Sequence, residues 1–198
     1  MIEPLIYCKV CGMVMQCIAD FYKANGRRPT VLEIGCADGQ GVGRYGGFCE
    51  RVICVDPMVS GRPDIFSRDQ DSNWPAEDFK LAEFKRRTSE FPVSLIIGCS
   101  LWPRVLEEVR TQLAGGSVDI LVIDGCHHPF EAVWGDFEAY YQFVAKGGYI
   151  IFDDLYEPCI LEAYERAMVD RKMVEHERWS VRKSNILQDV GALIKTED

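Results

Sequence analysis

The sequence lacks a basic excess, a long apolar run, an N-terminal secretion signal and internal repeats. Its 198 residues include 22 Lys and Arg against 31 Asp and Glu, so the net charge of −9 provides no basic footprint for nucleic acid. No apolar run reaches the roughly 20 residues that cross a bilayer. The apolar fraction of 47% is ordinary for a globular chain with a sizeable core. We therefore expect a cytoplasmic protein without nucleic-acid or membrane partners.

The nine cysteines do not suggest a disulfide framework. A free thiol in a buried strand behaves as a small apolar residue. The cysteines in or beside predicted strands are Cys36, Cys54, Cys99, Cys126 and Cys159. Cys8 and Cys11 have the spacing of a zinc half-site, but no second ligand pair follows them. Together with Met15 and Ile18 they instead predict one apolar face of an N-terminal helix.

Apolar runs and amphipathic stretches alternate along the chain, as a parallel sheet with crossover helices requires. The predicted strands are Val31–Ile34, Val52–Val55, Val93–Ile97, Val118–Ile123 and Tyr149–Phe152, followed by a hairpin of two alternating runs, Met173–Val181 and Val190–Ile194. The predicted helices are Leu5–Ala24, Ala76–Arg87, one from Pro103 to the Gly115-Gly116 pair, one carrying Val133 to Val144 on a single face, and Glu157–Arg171. Four glycines between 41 and 47 predict a short, irregular helix with more exposed backbone than usual.

An apolar strand runs into a glycine turn at Val31–Gly39, and the next strand ends in Asp56. Gly35 and Gly39 allow a sharp turn and a close backbone approach to a ligand, while an acid at the next strand end can accept hydrogen bonds from ribose hydroxyls. Four of the five predicted strand ends carry carboxylates. Because ligands of open α/β sheets bind at those ends, this pattern predicts a nucleoside-cofactor site.

The ordered motifs resemble those of class I S-adenosylmethionine-dependent methyltransferases over nearly the whole chain. Glu33–Gly39 and Asp56 carry the general resemblance. Ile123–Glu131, Asp136 and Gly147–Asp154 are similar to a narrower subgroup, which contains macrolide and sugar O-methyltransferases and proteins labelled cephalosporin hydroxylases. The resemblance implies a Rossmann-like three-layer α/β sandwich with a seven-stranded, mostly parallel sheet in the order 3-2-1-4-5-7-6, its last strand antiparallel. We expect a single domain over residues 1–198, with an N-terminal helical segment at 1–28 and the core at 29–198.

The resemblance also implies a function, O-methylation of a small-molecule hydroxyl by S-adenosylmethionine. The cofactor-binding residues it implies are Glu33, Gly35, Ala37, Gly39, Asp56, Cys99, Ser100 and Asp124. A divalent cation, usually Mg²⁺, would bind the acid after strand four and the acid pair after strand five, here Asp124, Asp153 and Asp154. Carboxylates that leave sites for water and substrate suit this ion.

The chain departs from the subgroup at two positions. Cys99 stands where the subgroup has an adenine-side acid, and Cys126 stands where it has an acid after the Asp-Gly pair. His127 or His128 can replace that acid as general base beside Asp124, since imidazole titrates near neutral pH; alternatively one histidine only orients the loop.

The residues near these motifs also have simpler interpretations. Asp153 and Asp154 can instead begin the next helix, where carboxylates favour the exposed N–H groups. Glu131 and Asp136 are expected on a solvated or capping face. Trp74 and Trp102 can line a substrate pocket, but packing is the commoner role of such aromatic residues.

Two functional alternatives to a methyltransferase remain open at this point. A non-catalytic cofactor-binding protein fits the two missing acids. An NAD-dependent oxidoreductase fits poorly, because Ala37 and Gln40 break the required glycine spacing.

Subgroup members usually carry more N-terminal sequence than this chain. A second subunit of a homodimer is therefore expected to complete the acceptor side, together with the connection between Pro57 and Pro92.

Overall fold

The computed structural model describes residues 9–58, 78–183 and 186–197. The helices are α1 Lys9–Asn25, α2 Val42–Tyr45, α3 Asp78–Thr88, α4 Pro103–Leu113, α5 Phe130–Tyr141 and α6 Pro158–Asp170, with a 3-10 turn at Gly46–Phe48. The strands are β1 Thr30–Ile34, β2 Arg51–Asp56, β3 Val93–Ile97, β4 Val118–Ile123, β5 Val144–Phe152, β6 Val174–Lys183 and β7 Ile186–Ile194.

All seven strands form one sheet in the order β3-β2-β1-β4-β5-β7-β6. The pairs among β1 to β5 are parallel, and β7 runs antiparallel to both β5 and β6. All six residues of β4 are buried, because helices cover both faces of this central, mostly apolar strand. The predicted fold class and strand order are confirmed, and β6 is the edge strand of the terminal hairpin.

Two apolar layers flank the sheet. On one face, α4, α5 and α6 pack against it with Val109, Phe137 and Tyr164 buried. On the other face, α1 and α2 bury Met13 and Tyr45. The parallel strands consequently end at one edge of the sheet between these layers, and ligands of such folds bind there.

The helix α5 is shorter than the sequence predicts, since it ends at Tyr141. Val144, predicted on the helical face, begins β5 and pairs with Val118. The register shifts between Val118 and Ile120, so the ladder resumes only at Tyr149, after the Gly147-Gly148 pair. A single apolar residue just beyond a helix is compatible with both helical and strand periodicity, and Val144 belongs to the strand because it pairs with Val118.

The glycine-rich segment is short, as predicted, but its backbone is packed against other residues. A Cβ atom placed on Gly46 or Gly47 would lie 3.3 or 3.2 Å from the ring of Phe91. Gly46 is also buried. The expectation of unusually exposed backbone is therefore wrong at these two positions, because the missing side chains make room for Phe91.

Most of the described cysteines are free and act as buried apolar residues. Five are buried and two are half-buried, in the order Cys17, Cys36, Cys49, Cys54, Cys99, Cys126 and Cys159. Burial raises the pKa of the Cys17 and Cys49 thiols to about 12. Cys11 is buried on the apolar face of α1 as predicted, but it takes part in a disulfide bond, which the sequence did not predict. Cys8 lies outside the described residues.

Within the part of the chain that the structure describes, no helix combines the length and apolar character needed to cross a membrane.

Candidate cofactor and cation site

The glycine turn after β1 lies directly against the end of β4. Gly35 and Gly39 have φ angles of +86° and +75°, which glycine adopts without steric cost. A Cβ atom on Gly35 would lie 2.1 Å from the carbonyl oxygen of Asp124. Only glycine fits at position 35, so the turn brings the predicted cofactor cradle beside Asp124.

Asp56 joins the glycine turn to the chain that follows β2 through its two carboxylate oxygens. Its Oδ2 accepts a hydrogen bond from the amide of Ala37 at 2.8 Å, and its Oδ1 accepts one from the amide of Met58 at 2.6 Å. Ala37 has a φ of +46°, a left-handed conformation that the hydrogen bond to Asp56 helps to hold. A carboxylate offers about four acceptor positions, so Asp56 keeps capacity for ribose hydroxyls.

Glu33 lies within β1 and is 3% exposed. Its Oε2 accepts a hydrogen bond of 2.6 Å from the Tyr45 hydroxyl. Burial raises the pKa of Glu33 to about 7, and the charges of Asp56 and Asp153 act in the same direction, while the Tyr45 hydrogen bond opposes them. The side chain of Glu33 thus ties β1 to α2.

Carboxylates from four strands meet at the crevice. Burial raises the pKa of Asp124 well above its usual range, and the neighbouring charges of Asp153, Glu33, Asp154 and Asp56 raise it further. Burial and the charge of Asp154 raise the pKa of Asp153 to about 6. Acids at the ends of β1, β2, β4 and β5 therefore repel one another at this edge, as their order along the chain predicts. Such a cluster favours a positively charged occupant.

His127 joins two of these acids in a group with the geometry of a cation site. One ligand atom from each of Asp124, His127 and Asp154 lies within 4.8 Å of the others. The His127 Nε2 lies 3.1 Å from Asp154 Oδ2, yet it makes no hydrogen bond with any residue the structure describes. The interaction with Asp154 raises the pKa of His127 against the opposing effect of burial. Asp153, the third predicted ligand, is not a member of this group.

His128 faces different partners. Its Nε2 lies 3.1 Å from Glu157 Oε2, and its Nδ1 lies 3.3 Å from the Cys159 sulfur. The Cys126 thiol donates to the His128 carbonyl oxygen at 2.7 Å. Because both of its ring nitrogens already have partners, His128 fits loop orientation better than proton transfer.

The loop after β3 lies beside Asp56, since the Gly98 amide donates to the Asp56 carbonyl at 3.1 Å. Cys99 is buried, whereas Ser100 is half-buried and donates its hydroxyl to Asp136. The Tyr140 hydroxyl donates to the Ser100 carbonyl at 2.8 Å. This loop is the predicted adenine side.

The expectation that Asp136 lies on a solvated or capping face is wrong. This residue is 2% exposed rather than solvated, whereas Glu131 is exposed as expected. On α5 the buried residues are Ala132, Val133, Asp136, Phe137 and Tyr140. Asp136 continues the i, i+3, i+4, i+7 face that begins at Val133, and this periodicity could have identified its burial.

Of the two tryptophans named in the sequence analysis, the structure describes Trp102. Trp102 is 1% exposed and packs in the core, as expected, beneath the guanidinium of Arg104 at 4.9 Å. Trp74 lies outside the described residues.

The model of a family described as a methyltransferase domain matches residues 10–155. The chain belongs to this methyltransferase family. The predicted class I resemblance is thereby confirmed at the level of the superfamily.

A curated relative and two solved structures are similar to the chain. An uncharacterized protein of Acanthamoeba polyphaga mimivirus is 42% identical over 57 residues, which are 27% of this chain and 25% of that protein, so the match spans about a quarter of the relative. The N-methyltransferase NodS of Bradyrhizobium japonicum, in complex with S-adenosylhomocysteine, superposes with a TM-score of 0.65 at 14% identity, covering 96% of this chain and 87% of NodS. An rRNA methylase of Streptococcus thermophilus superposes with a TM-score of 0.63 at 12% identity, covering 100% of this chain and 99% of the methylase. At these identities the two structures establish the fold alone.

Proposed function

We propose that this protein transfers the methyl group of S-adenosylmethionine to a hydroxyl oxygen of a small molecule. The convergence of carboxylates at the glycine turn carries the proposal, because Glu33, Asp56, Asp124, Asp153 and Asp154 act on one another at a single sheet edge. S-Adenosylmethionine brings a sulfonium and an ammonium group, and both charges suit this edge. NodS, with the same fold, was crystallised with the demethylated form of this cofactor.

The chain's residues have separable roles in this proposal. Gly35, Ala37 and Gly39 form a cradle for the methionine end, and the free acceptor positions of Asp56 hold the ribose. The loop from Cys99 to Ser100 flanks the adenine. In the transfer the acceptor oxygen would attack the methyl carbon as the carbon–sulfur bond breaks, the hydroxyl proton would pass to water, and S-adenosylhomocysteine would then leave. Because the sulfonium already activates the methyl group, these residues contribute mainly in-line positioning.

A divalent cation fits the donor set at the acceptor side. Asp124 and Asp154 provide carboxylate oxygens, and His127 presents a ring nitrogen without a hydrogen-bond partner among the described residues. When bound, the cation would lower the pKa of the acceptor hydroxyl. Mg²⁺ prefers oxygen ligands, whereas this set combines two carboxylates with one ring nitrogen. Mn²⁺ therefore fits it at least as well as Mg²⁺.

Small hydroxylated acceptors suit this protein better than RNA. The rRNA methylase of Streptococcus thermophilus shares the fold, but the net charge of this chain is −9. RNA-binding enzymes need a basic surface to approach a phosphate backbone, whereas vicinal diols carry no charge.

Calorimetry with S-adenosylmethionine and with NAD tests the cofactor. We expect binding of the former only, and binding of NAD alone would overturn the proposal. Transfer of a labelled methyl group to a panel of catechols and sugar diols, with EDTA or with added Mg²⁺ or Mn²⁺, tests the reaction. Cofactor binding without transfer to any acceptor would favour a non-catalytic binding protein.

A further inference from the structure

Asp136 is a buried carboxylate that the proposed chemistry does not use. It belongs to α5 and lies between the loops that follow β3 and β4. The Ser100 hydroxyl donates to its Oδ1 at 2.5 Å. A Cβ atom on Gly125 would lie 3.4 Å from its Oδ2, so Gly125 leaves room for the carboxylate under the second loop. Burying a carboxylate is costly unless its hydrogen bonds compensate, which points to a role for this contact.

The contact with Asp136 determines which hydrogen-bonding group Ser100 can offer to a ligand. A serine hydroxyl has one hydrogen to donate and two lone pairs to accept with. When Asp136 is ionised, its carboxylate only accepts, so the hydroxyl hydrogen of Ser100 then points at Asp136. The Tyr140 hydroxyl occupies the Ser100 carbonyl at 2.8 Å. With its hydrogen donated to Asp136, the hydroxyl oxygen of Ser100 can only accept a hydrogen bond from a ligand.

We propose that Asp136 is a positioning residue which makes Ser100 an acceptor, so that the site selects a purine with an exocyclic amino group. This inference rests on the proposed function, since it assumes that the adenine of S-adenosylmethionine lies against Ser100. Adenine presents an amino donor at position 6, whereas unsubstituted purine presents no hydrogen-bonding group there. A fixed acceptor pairs with the first and is left without a partner by the second.

The decisive measurement compares S-adenosylhomocysteine with its unsubstituted-purine analogue, in which a hydrogen atom replaces the amino group and N1 stays an acceptor. Burial raises the pKa of Asp136 to about 7, so binding is measured by calorimetry roughly two units above this value, where the carboxyl is ionised. We expect the wild-type protein to prefer the adenosyl compound by about tenfold or more. In Asp136→Ala and in Ser100→Ala this preference falls below about threefold.

Two further variants separate positioning from general support of the fold. Asp136→Asn keeps an oxygen that accepts from Ser100, so it retains the preference. Glu131→Gln, on the exposed side of the same helix, leaves both affinities unchanged. A purely structural role of Asp136 would weaken both ligands by the same factor in Asp136→Ala, and that result would overturn the proposal. If Asp136→Ala does not fold, Ser100→Ala alone carries the comparison.

Failure of this inference can be distinguished from failure of the proposed function. A wild-type protein that binds both ligands equally well overturns the role of Asp136 and leaves the methyltransferase proposal standing. A wild-type protein that binds neither ligand overturns both.

Discussion

The Nε2 atom of His127 lies 3.1 Å from the Oδ2 atom of Asp154, although the two residues follow different strands of the sheet. The parallel pairing of β4 with β5 brings these two strand ends together. At this distance the ring nitrogen and the carboxylate can either share a proton or both bind one cation. This pair therefore separates two interpretations of the acceptor side, cation binding and proton transfer.

Cation binding is expected to depend on Asp154 and His127 and not on Asp153. In titrations with Mn²⁺ followed by electron paramagnetic resonance, Asp154→Asn and His127→Gln should each weaken binding by about tenfold or more, as ligand loss does elsewhere. Asp153→Asn and His128→Gln are matched controls, because each changes the neighbouring residue in sequence while leaving the three-residue group intact.

The same variants have a contrasting outcome under the alternative roles. If Asp153→Asn lost Mn²⁺ as strongly as Asp154→Asn, the set of three aspartates implied by the resemblance would be correct. If His127→Gln kept Mn²⁺ affinity but lost methyl transfer, His127 would be the proton acceptor and not a ligand.

Gly35→Ala should be far more costly than Gly26→Ala. Both glycines have positive φ angles, +86° and +68°, so alanine is strained at either position. At Gly35 the new Cβ would also lie 2.1 Å from the Asp124 carbonyl oxygen, whereas at Gly26 it would meet nothing within 4 Å. We expect losses in the free energy of unfolding of about 3–5 kcal/mol and about 1 kcal/mol, measured by urea denaturation. Equal losses would mean that the two chain segments are not in contact at Gly35.

Asp56→Ala should weaken both the fold and cofactor binding. The substitution leaves the amides of Ala37 and Met58 without their acceptor, which costs about 2–4 kcal/mol in the free energy of unfolding. Asp56→Asn keeps one acceptor oxygen and should lose less. Titration of the folded variants with S-adenosylhomocysteine checks the second part, and wild-type affinity in Asp56→Ala would remove Asp56 from the cofactor site.

The pH dependence of stability should change in Asp136→Asn. Burial raises the pKa of Asp136 from an unfolded value near 3.8 to about 7, so the folded state binds a proton more tightly than the unfolded state. This group's contribution to stability is fully present below about pH 4 and is lost as the pH rises through about 7. The shift corresponds to at most about 4 kcal/mol. Urea denaturation at about pH 5 and about pH 8 should show a smaller decline for Asp136→Asn than for the wild type, and an unchanged decline would contradict the raised pKa.

Local patterning predicted most elements to within a few residues. Val93–Ile97 and Val118–Ile123 have the predicted bounds, because each is a mostly apolar run between turn residues, which is typical of a strand. Val144 was assigned to the wrong element, since neither helical nor strand periodicity is decided by one residue. The disulfide of Cys11 was also missed, because cysteine spacing does not report whether a thiol is oxidised.

The sequence by itself determined the alternation of strands and helices, the glycine turn and the arrival of acids at successive strand ends, and its resemblance to a known family implied the order of the strands. Hydrophobic periodicity and the backbone freedom of glycine are local properties that can be read along the chain. Parallel pairing of the strands then places their carboxyl ends at one edge of the sheet. Only the tertiary structure decided which atoms meet there. It placed His127 with Asp124 and Asp154 while leaving Asp153 out, and it turned Asp136 inward against Ser100. Those choices depend on side-chain direction and burial, which arise from packing between elements far apart in the chain.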